Sequence, residues 1–355
     1  MKKSHFRSQM ALAFLTVTAA ALLTLGAPAF AWSPMDASLP SGSTSSTGGS
    51  VLGKHTGVAR LKDGRTLAYT ASFADPNQPV LVFLPGLFRG WNLSDSFIQI
   101  LIQRQIGFVA LEFSTQLASI LSLAPLEAPH FVASPMLQAD RLRSEVESLV
   151  FEHLELKKPI LVSLSYSTLV SAEADQSRFP LVIETVPMGR YDETEHDTAR
   201  FGRLWLDWAS LNPWGWMWAE AFKTQAYTAY WSKVVAQRAL GTPELLNPVT
   251  ASLQIQGYVA MTRASEGFDL RDIDFSRGPK RVWILAGQEN QVRSVTQSEA
   301  VEKYLATLDL AARSGWYGRQ GVYTVKSAGH TLPTDEPEAY VRLLETILSR
   351  AVSSL

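Results

Sequence analysis

The sequence predicts an α/β protein, a largely parallel sheet wrapped by helices, and two features point there. Short runs rich in β-branched residues alternate with longer amphipathic stretches whose apolar positions fall three and four apart. Most of the short runs read as buried β-branched strands, predominantly apolar as strands buried on both faces are. In chain order the strands are expected over residues 66–72, 79–83, 107–113, 159–164, 181–186, 281–286 and 321–326. Helices are expected over 94–104, 137–155, 168–175, 297–312 and 337–352.

Residues 189–278 interrupt this alternation and are too long for a simple crossover. Six of the ten tryptophans fall there: Trp205, Trp208, Trp214, Trp216, Trp218 and Trp231. The segment reads as a helical, Trp-rich cap inserted into the sheet domain. Its rings either pack the cap onto the core or form an apolar wall over a pocket. Asp207, Asn212, Pro213 and Glu220 break it up, so it does not read as a membrane span.

At the N-terminus Lys2, Lys3 and Arg7 precede an apolar stretch from Met10 to Leu25, followed by Ala29-Phe30-Ala31. This three-part layout predicts a secretory signal over 1–31, cleaved after Ala31. The stretch is shorter than the roughly 20 residues a spanning helix needs, so no stable membrane span is expected after cleavage. Residues 32–50 are dominated by Ser, Gly and Thr and read as a flexible linker. The domain plan is therefore a core over 51–188 and 279–355 with the insertion over 189–278. An exported location, periplasmic or secreted, follows. The absence of cysteine means that no disulfide staples this core.

The chain has 355 residues with 32 basic and 33 acidic side chains. That balance leaves no basic footprint for nucleic acid. No phosphate loop, dinucleotide glycine fingerprint or HExxH site occurs, and Glu195-His196-Asp197 lacks a ligand spacing. No cofactor and no metal are expected.

The chemistry concentrates in Ser163-Leu164-Ser165-Tyr166-Ser167, directly after the apolar run 159–162. A tight strand-to-helix turn needs small residues two before and two after the exposed nucleophile, and only Ser165 has them on both sides. A serine hydroxyl also needs a base and donors for the developing oxyanion. His330, in Ser327-Ala328-Gly329-His330 beyond the last predicted strand, is the candidate base. The candidate donors are the amides of Tyr166 and Leu87, the latter in Leu84-Pro85-Gly86-Leu87 after an early strand. Gly86 is read as letting that loop bend close to the serine, although Pro-Gly is also an ordinary turn signal.

In chain order, a Gly-containing turn after an early strand, a small-x-Ser-x-small elbow, the cap, the loop Ala286-Gly287-Gln288-Glu289-Asn290 and a Gly-His near the end resemble the α/β-hydrolase superfamily, over about Val51 to Leu355. The resemblance implies an eight-stranded, mostly parallel sheet, Ser165 as nucleophile, His330 as base and a cap controlling entry to the pocket. Two departures stand out. Serines replace both usual glycines of the elbow, and the family's usual Asp falls on Asn290. Adjacent Glu289 is the preferred acid, with Asn290 as the alternative and Asp192 as a third option. The expected activity is hydrolysis of a small or lipid-like carboxylic ester through an acyl-enzyme. An acyltransferase, or a non-catalytic protein binding an apolar ligand, would share these features; acyl length and oligomeric state are not encoded in them.

Overall fold

A computed structural model describes residues 53–87, 95–123, 139–189, 215–275, 278–286, 301, 305, 315–317 and 320–352. The signal, the linker and most of the helix expected over 297–312 lie outside the described residues. The strands are β1 (His55–Arg60), β2 (Thr66–Ser72), β3 (Pro79–Leu84), β4 (Phe108–Leu111), β5 (Lys158–Leu164), β6 (Leu181–Thr185), β7 (Lys280–Ala286), β8 (Gly315–Tyr317) and β9 (Gln320–Val325). They form one sheet in the order β1-β2-β4-β3-β5-β6-β7-β9-β8. From β4 to β9 every neighbouring pair is parallel, and antiparallel pairing is confined to β1, β2 and β8 at the margins. Relative to the expected eight strands, the ninth is the three-residue edge strand β8. β1 escapes the apolar-run criterion because only Ala59 among its residues is buried.

The period of the strands splits the core into two layers. On β3, Val80, Val82 and Leu84 face one cluster, which also holds Leu161 and Val182. Leu81 and Phe83 face the other, with Ile160, Val162, Ile183 and Ile284. The first layer is closed by helices α3 (Ala139–Glu147) and α4 (Thr168–Ser171), through Leu142, Val146 and Leu169. The second is closed by α1 (Asp95–Gln103) and the C-terminal α8 (Pro337–Val352), whose Phe97 and Tyr340 rings lie 5.7 Å apart. A further short helix, α2 (Leu117–Leu121), follows β4.

Between β6 and β7 the described residues contain two helices, α5 (Gly215–Ala239) and α6 (Pro248–Ala264), joined through a short 3-10 turn, Pro243–Leu246. α6 starts cleanly: Pro248 occupies its first turn, and the Asn247 side chain accepts from the Val249 amide at 2.9 Å. Trp231 is fully buried between the helices, 4.8 Å from the Tyr258 ring, and its Nε1 donates to Thr262 Oγ1 at 3.1 Å. Trp205, Trp208 and Trp214 lie outside the described residues. α6 meets the sheet domain closely at Gly257, where a Cβ would stand 2.0 Å from the Thr115 carbonyl oxygen. No helix among the described residues is long and apolar enough to cross a membrane. A short helix α7 (Leu332–Asp335) precedes α8.

Candidate active site

β5 ends at Leu164, and Ser165 begins a 3-10 turn, Ser165–Ser167, that runs directly into α4. Ser165 has a φ of +52°, the left-handed region that costs a non-glycine residue about 1–2 kcal/mol. Such strain persists only where the surroundings over-determine it, and here they do. The Ser167 hydroxyl accepts from the Leu164 amide at 2.8 Å and lies 3.2 Å from the Leu84 carbonyl, to which it donates. The Met188 amide, reached after a second left-handed residue (Val186, φ +41°), donates to the Ser165 carbonyl at 3.2 Å and to Thr168 Oγ1 at 3.1 Å. Adjacent strand exits are thus locked to each other.

The serines standing where glycines are usual both have partners. Ser167 staples the turn as just described, and Ser163 Oγ donates to a carboxylate oxygen of Glu184. Glu184 is fully buried on β6, directly opposite Ser163 in the register. It also accepts from Ser171 Oγ at 2.9 Å and pairs with Arg281 of β7. Arg281 in turn donates to the carbonyls of Ser171 and Ala172 at 3.0 and 3.1 Å, and its guanidinium lies 4.5 Å from the Phe275 ring centroid. Sequence reasoning missed this network, since nothing local links residues 163, 184 and 281.

The candidate oxyanion donors flank the same turn. Tyr166 is the second residue of the 3-10 turn, where an amide has no partner within the helix. Its ring is buried, and its hydroxyl donates to the Met261 carbonyl of α6 at 2.7 Å. Burial, reinforced by the charge of Glu145, pushes that phenol well above its ordinary range, so it stays protonated. Leu87 follows Gly86, and a Cβ on Gly86 would lie 3.7 Å from the Leu164 side chain. That is ordinary contact, and Gly86 does not have a positive φ, so steric need does not explain this glycine. What holds the loop is Gln116: its Nε2 donates to the Gly86 carbonyl at 2.7 Å while its Oε1 accepts from the Phe113 amide at 3.0 Å. This clamp too was invisible in the sequence.

His330 is half-buried in the turn between β9 and α7, at the carboxyl edge of the parallel strands. The chain is drawn back from β9 across that edge: Tyr340, one turn into α8, hydrogen-bonds Thr185 Oγ1 at 2.6 Å. Thr185 is the register partner of Leu164, the residue before Ser165. Glu289, Asn290 and Asp192 lie outside the described residues. No group of three or more His, Cys, Asp or Glu that could hold a metal ion occurs among the described residues.

No family model and no curated protein sequence matches the chain. Solved structures do. An esterase from Exiguobacterium antarcticum superposes with a TM-score of 0.52 at 11% identity, covering 82% of this chain and 98% of the esterase. The chain has the α/β-hydrolase fold. An enol-lactonase from Burkholderia xenovorans LB400 gives 0.53 at 15% identity, covering 82% of this chain and 100% of the lactonase. A thermophilic esterase from Thermogutta terrifontis gives 0.52 at 15% identity, covering 83% and 98% respectively. At such identity the likeness concerns architecture, and the chemistry has to be argued from the residues.

Proposed function

We propose that this protein is an exported serine hydrolase that cleaves a carboxylic ester through an acyl-enzyme on Ser165. The observation carrying this reading is the strained, positive-φ serine at the exit of β5, in a turn that Ser167 ties to the Leu84 carbonyl at the end of β3, in an α/β-hydrolase fold. Ser165 Oγ attacks the ester carbon while His330 takes its proton, and the Tyr166 and Leu87 amides receive the negative charge on the carbonyl oxygen. Collapse breaks the bond to the alkoxy oxygen, which leaves as alcohol with the proton from His330. Water then attacks the acyl-enzyme, giving up a proton to His330 as the carboxylic acid departs and Ser165 regains its hydrogen. Glu289, or Asn290 in its place, orients the imidazole; a carboxylate there also stabilises the imidazolium. No cofactor or metal takes part in this scheme.

The helical hairpin of α5 and α6 acts as the cap. Its contacts with Tyr166 and Thr115 support this assignment, and the lipophilic or acyl substrate rests on the tryptophan-rich sequence of the insertion. Export rests on the three-part N-terminal layout. A fluorophosphonate probe tests the nucleophile: the native protein is expected to label, and Ser165→Ala to abolish labelling. Undiminished labelling of the variant would remove Ser165 from the mechanism. Retained lipid with no hydrolysis across short and long acyl esters would instead favour a binding protein on the same fold.

A further inference from the structure

Glu184 occupies an unusual place for a carboxylate. It is fully buried and sits on the strand next to the elbow, and every described hydrogen-bond partner of its side chain is a donor from an element that builds the nucleophile turn or its support. Ser163 brings a hydroxyl from the last turnward residues of β5, two before the nucleophile. Ser171 brings one from the end of α4, the helix into which the turn runs, at 2.9 and 3.0 Å from the two carboxylate oxygens. Arg281 supplies the countercharge from β7 and reaches past Glu184 to the carbonyls of Ser171 and Ala172. One carboxylate therefore ties together the strand before Ser165, the helix after it and a strand two places across the sheet.

We propose that Glu184 is a positioning residue for the nucleophile, acting through Ser163 and Ser171, and that Ser163 stands where glycine is usual because its hydroxyl is the handle Glu184 holds. This rests on the assignment of Ser165 as nucleophile. The physical argument is one of over-determination. A non-glycine residue at φ +52° relaxes toward an ordinary conformation unless both flanks are held, and the turn has its flanks held from below by this acid. A buried carboxylate with an arginine and two hydroxyls is stiff, because each partner lost would leave a desolvated polar group. Glu184 touches no reacting atom, so its effect on catalysis is through the direction of Ser165 Oγ alone.

The test is Ser163→Ala, which deletes one hydroxyl, keeps the Cβ and leaves the Glu184 to Arg281 pair in place. Turnover is measured per active site titrated with the fluorophosphonate probe, alongside the maximal labelling rate, KM and the unfolding midpoint. Small displacements of a nucleophile reduce rate steeply, so kcat per labelled site and the labelling rate are each expected to fall about tenfold or more, with KM held within about twofold. Ser171→Ala is expected to act in the same direction. Glu184→Gln, which still offers an oxygen to Ser163, should retain more turnover per labelled site than Glu184→Leu. A purely structural network would lower the midpoint and the fraction labelled while leaving kcat per labelled site unchanged. That result, or Ser163→Ala within about twofold of the parent in both rates, overturns the positioning role and leaves the nucleophile assignment standing. Failure of the native protein to label at Ser165 overturns both.

Discussion

Glu184 and Glu145 are both fully buried acids that answer an arginine, yet they hold different parts of the molecule. Glu184 joins three central elements of the sheet layer, and its arginine is only 3% exposed at the side chain. Glu145, on α3, takes the Ser114 amide at 3.0 Å, the Ser114 hydroxyl at 2.6 Å and Arg65, whose side chain is 18% exposed and also pairs with Asp63 in the turn between β1 and β2. One cluster is sealed and lies beneath the elbow. The other opens to water and fastens an edge hairpin. The same chemistry thus serves the interior and the margin, and what differs is how much solvent can replace a lost partner.

The largest effect that would sharpen this contrast is on stability. Arg281→Met leaves Glu184 charged without its ion-pair partner in a sealed site and is expected to cost about 3–5 kcal/mol in urea unfolding. Arg65→Met leaves Glu145 with both Ser114 donors, and the arginine it removes already reaches water, so about 1–3 kcal/mol is expected. Equal losses would erase the distinction between the two clusters. A smaller and opposite effect is expected at the elbow. Ser165→Gly removes the penalty of a side chain at positive φ and should raise unfolding stability by about 1 kcal/mol while abolishing probe labelling; Ser165→Ala should abolish labelling with no such gain. No gain in the glycine variant would mean that the turn is not strained.

The smallest expected effect is a pH dependence in the open cluster. Burial raises the Glu145 carboxyl above its ordinary value of 4.5, against the pull of Arg65 and Ser114. An acid raised in the folded state stabilises below its unfolded pKa, and that contribution is lost as pH rises through the folded value. Glu145→Gln should therefore be better tolerated at pH 7 than at pH 4, read as the stability difference from the parent at each pH. Asp63 behaves oppositely: its hydrogen bond from Arg65 lowers it below 3.8, so its contribution is present above that value and fades as pH falls. Asp63→Asn should accordingly narrow its difference from the parent on acidification. A variant-to-parent gap that does not move with pH in either case would locate the pH response elsewhere.

Local pattern alone was enough to specify much of this protein. The runs that became β3, β5, β6 and β7 are readable because strands buried on both faces are predominantly apolar, and α8 is readable because one helical stripe packs on them. The turn at Ser165 was legible for a steric reason, since a sharp exit from a strand tolerates only small neighbours. β1 was not legible, because an exposed edge strand carries no hydrophobic signature. Only the tertiary structure decided what the two flanking serines do. Ser163 faces Glu184 through the register of β5 with β6, and Arg281 arrives from a strand nearly a hundred residues further on, so no spacing along the chain encodes their meeting. The Gln116 clamp on the Gly86 carbonyl has the same origin. Periodicity reports which face a residue presents to its own element, whereas a buried hydrogen bond depends on which elements become neighbours, and that is set by the packing of the whole sheet.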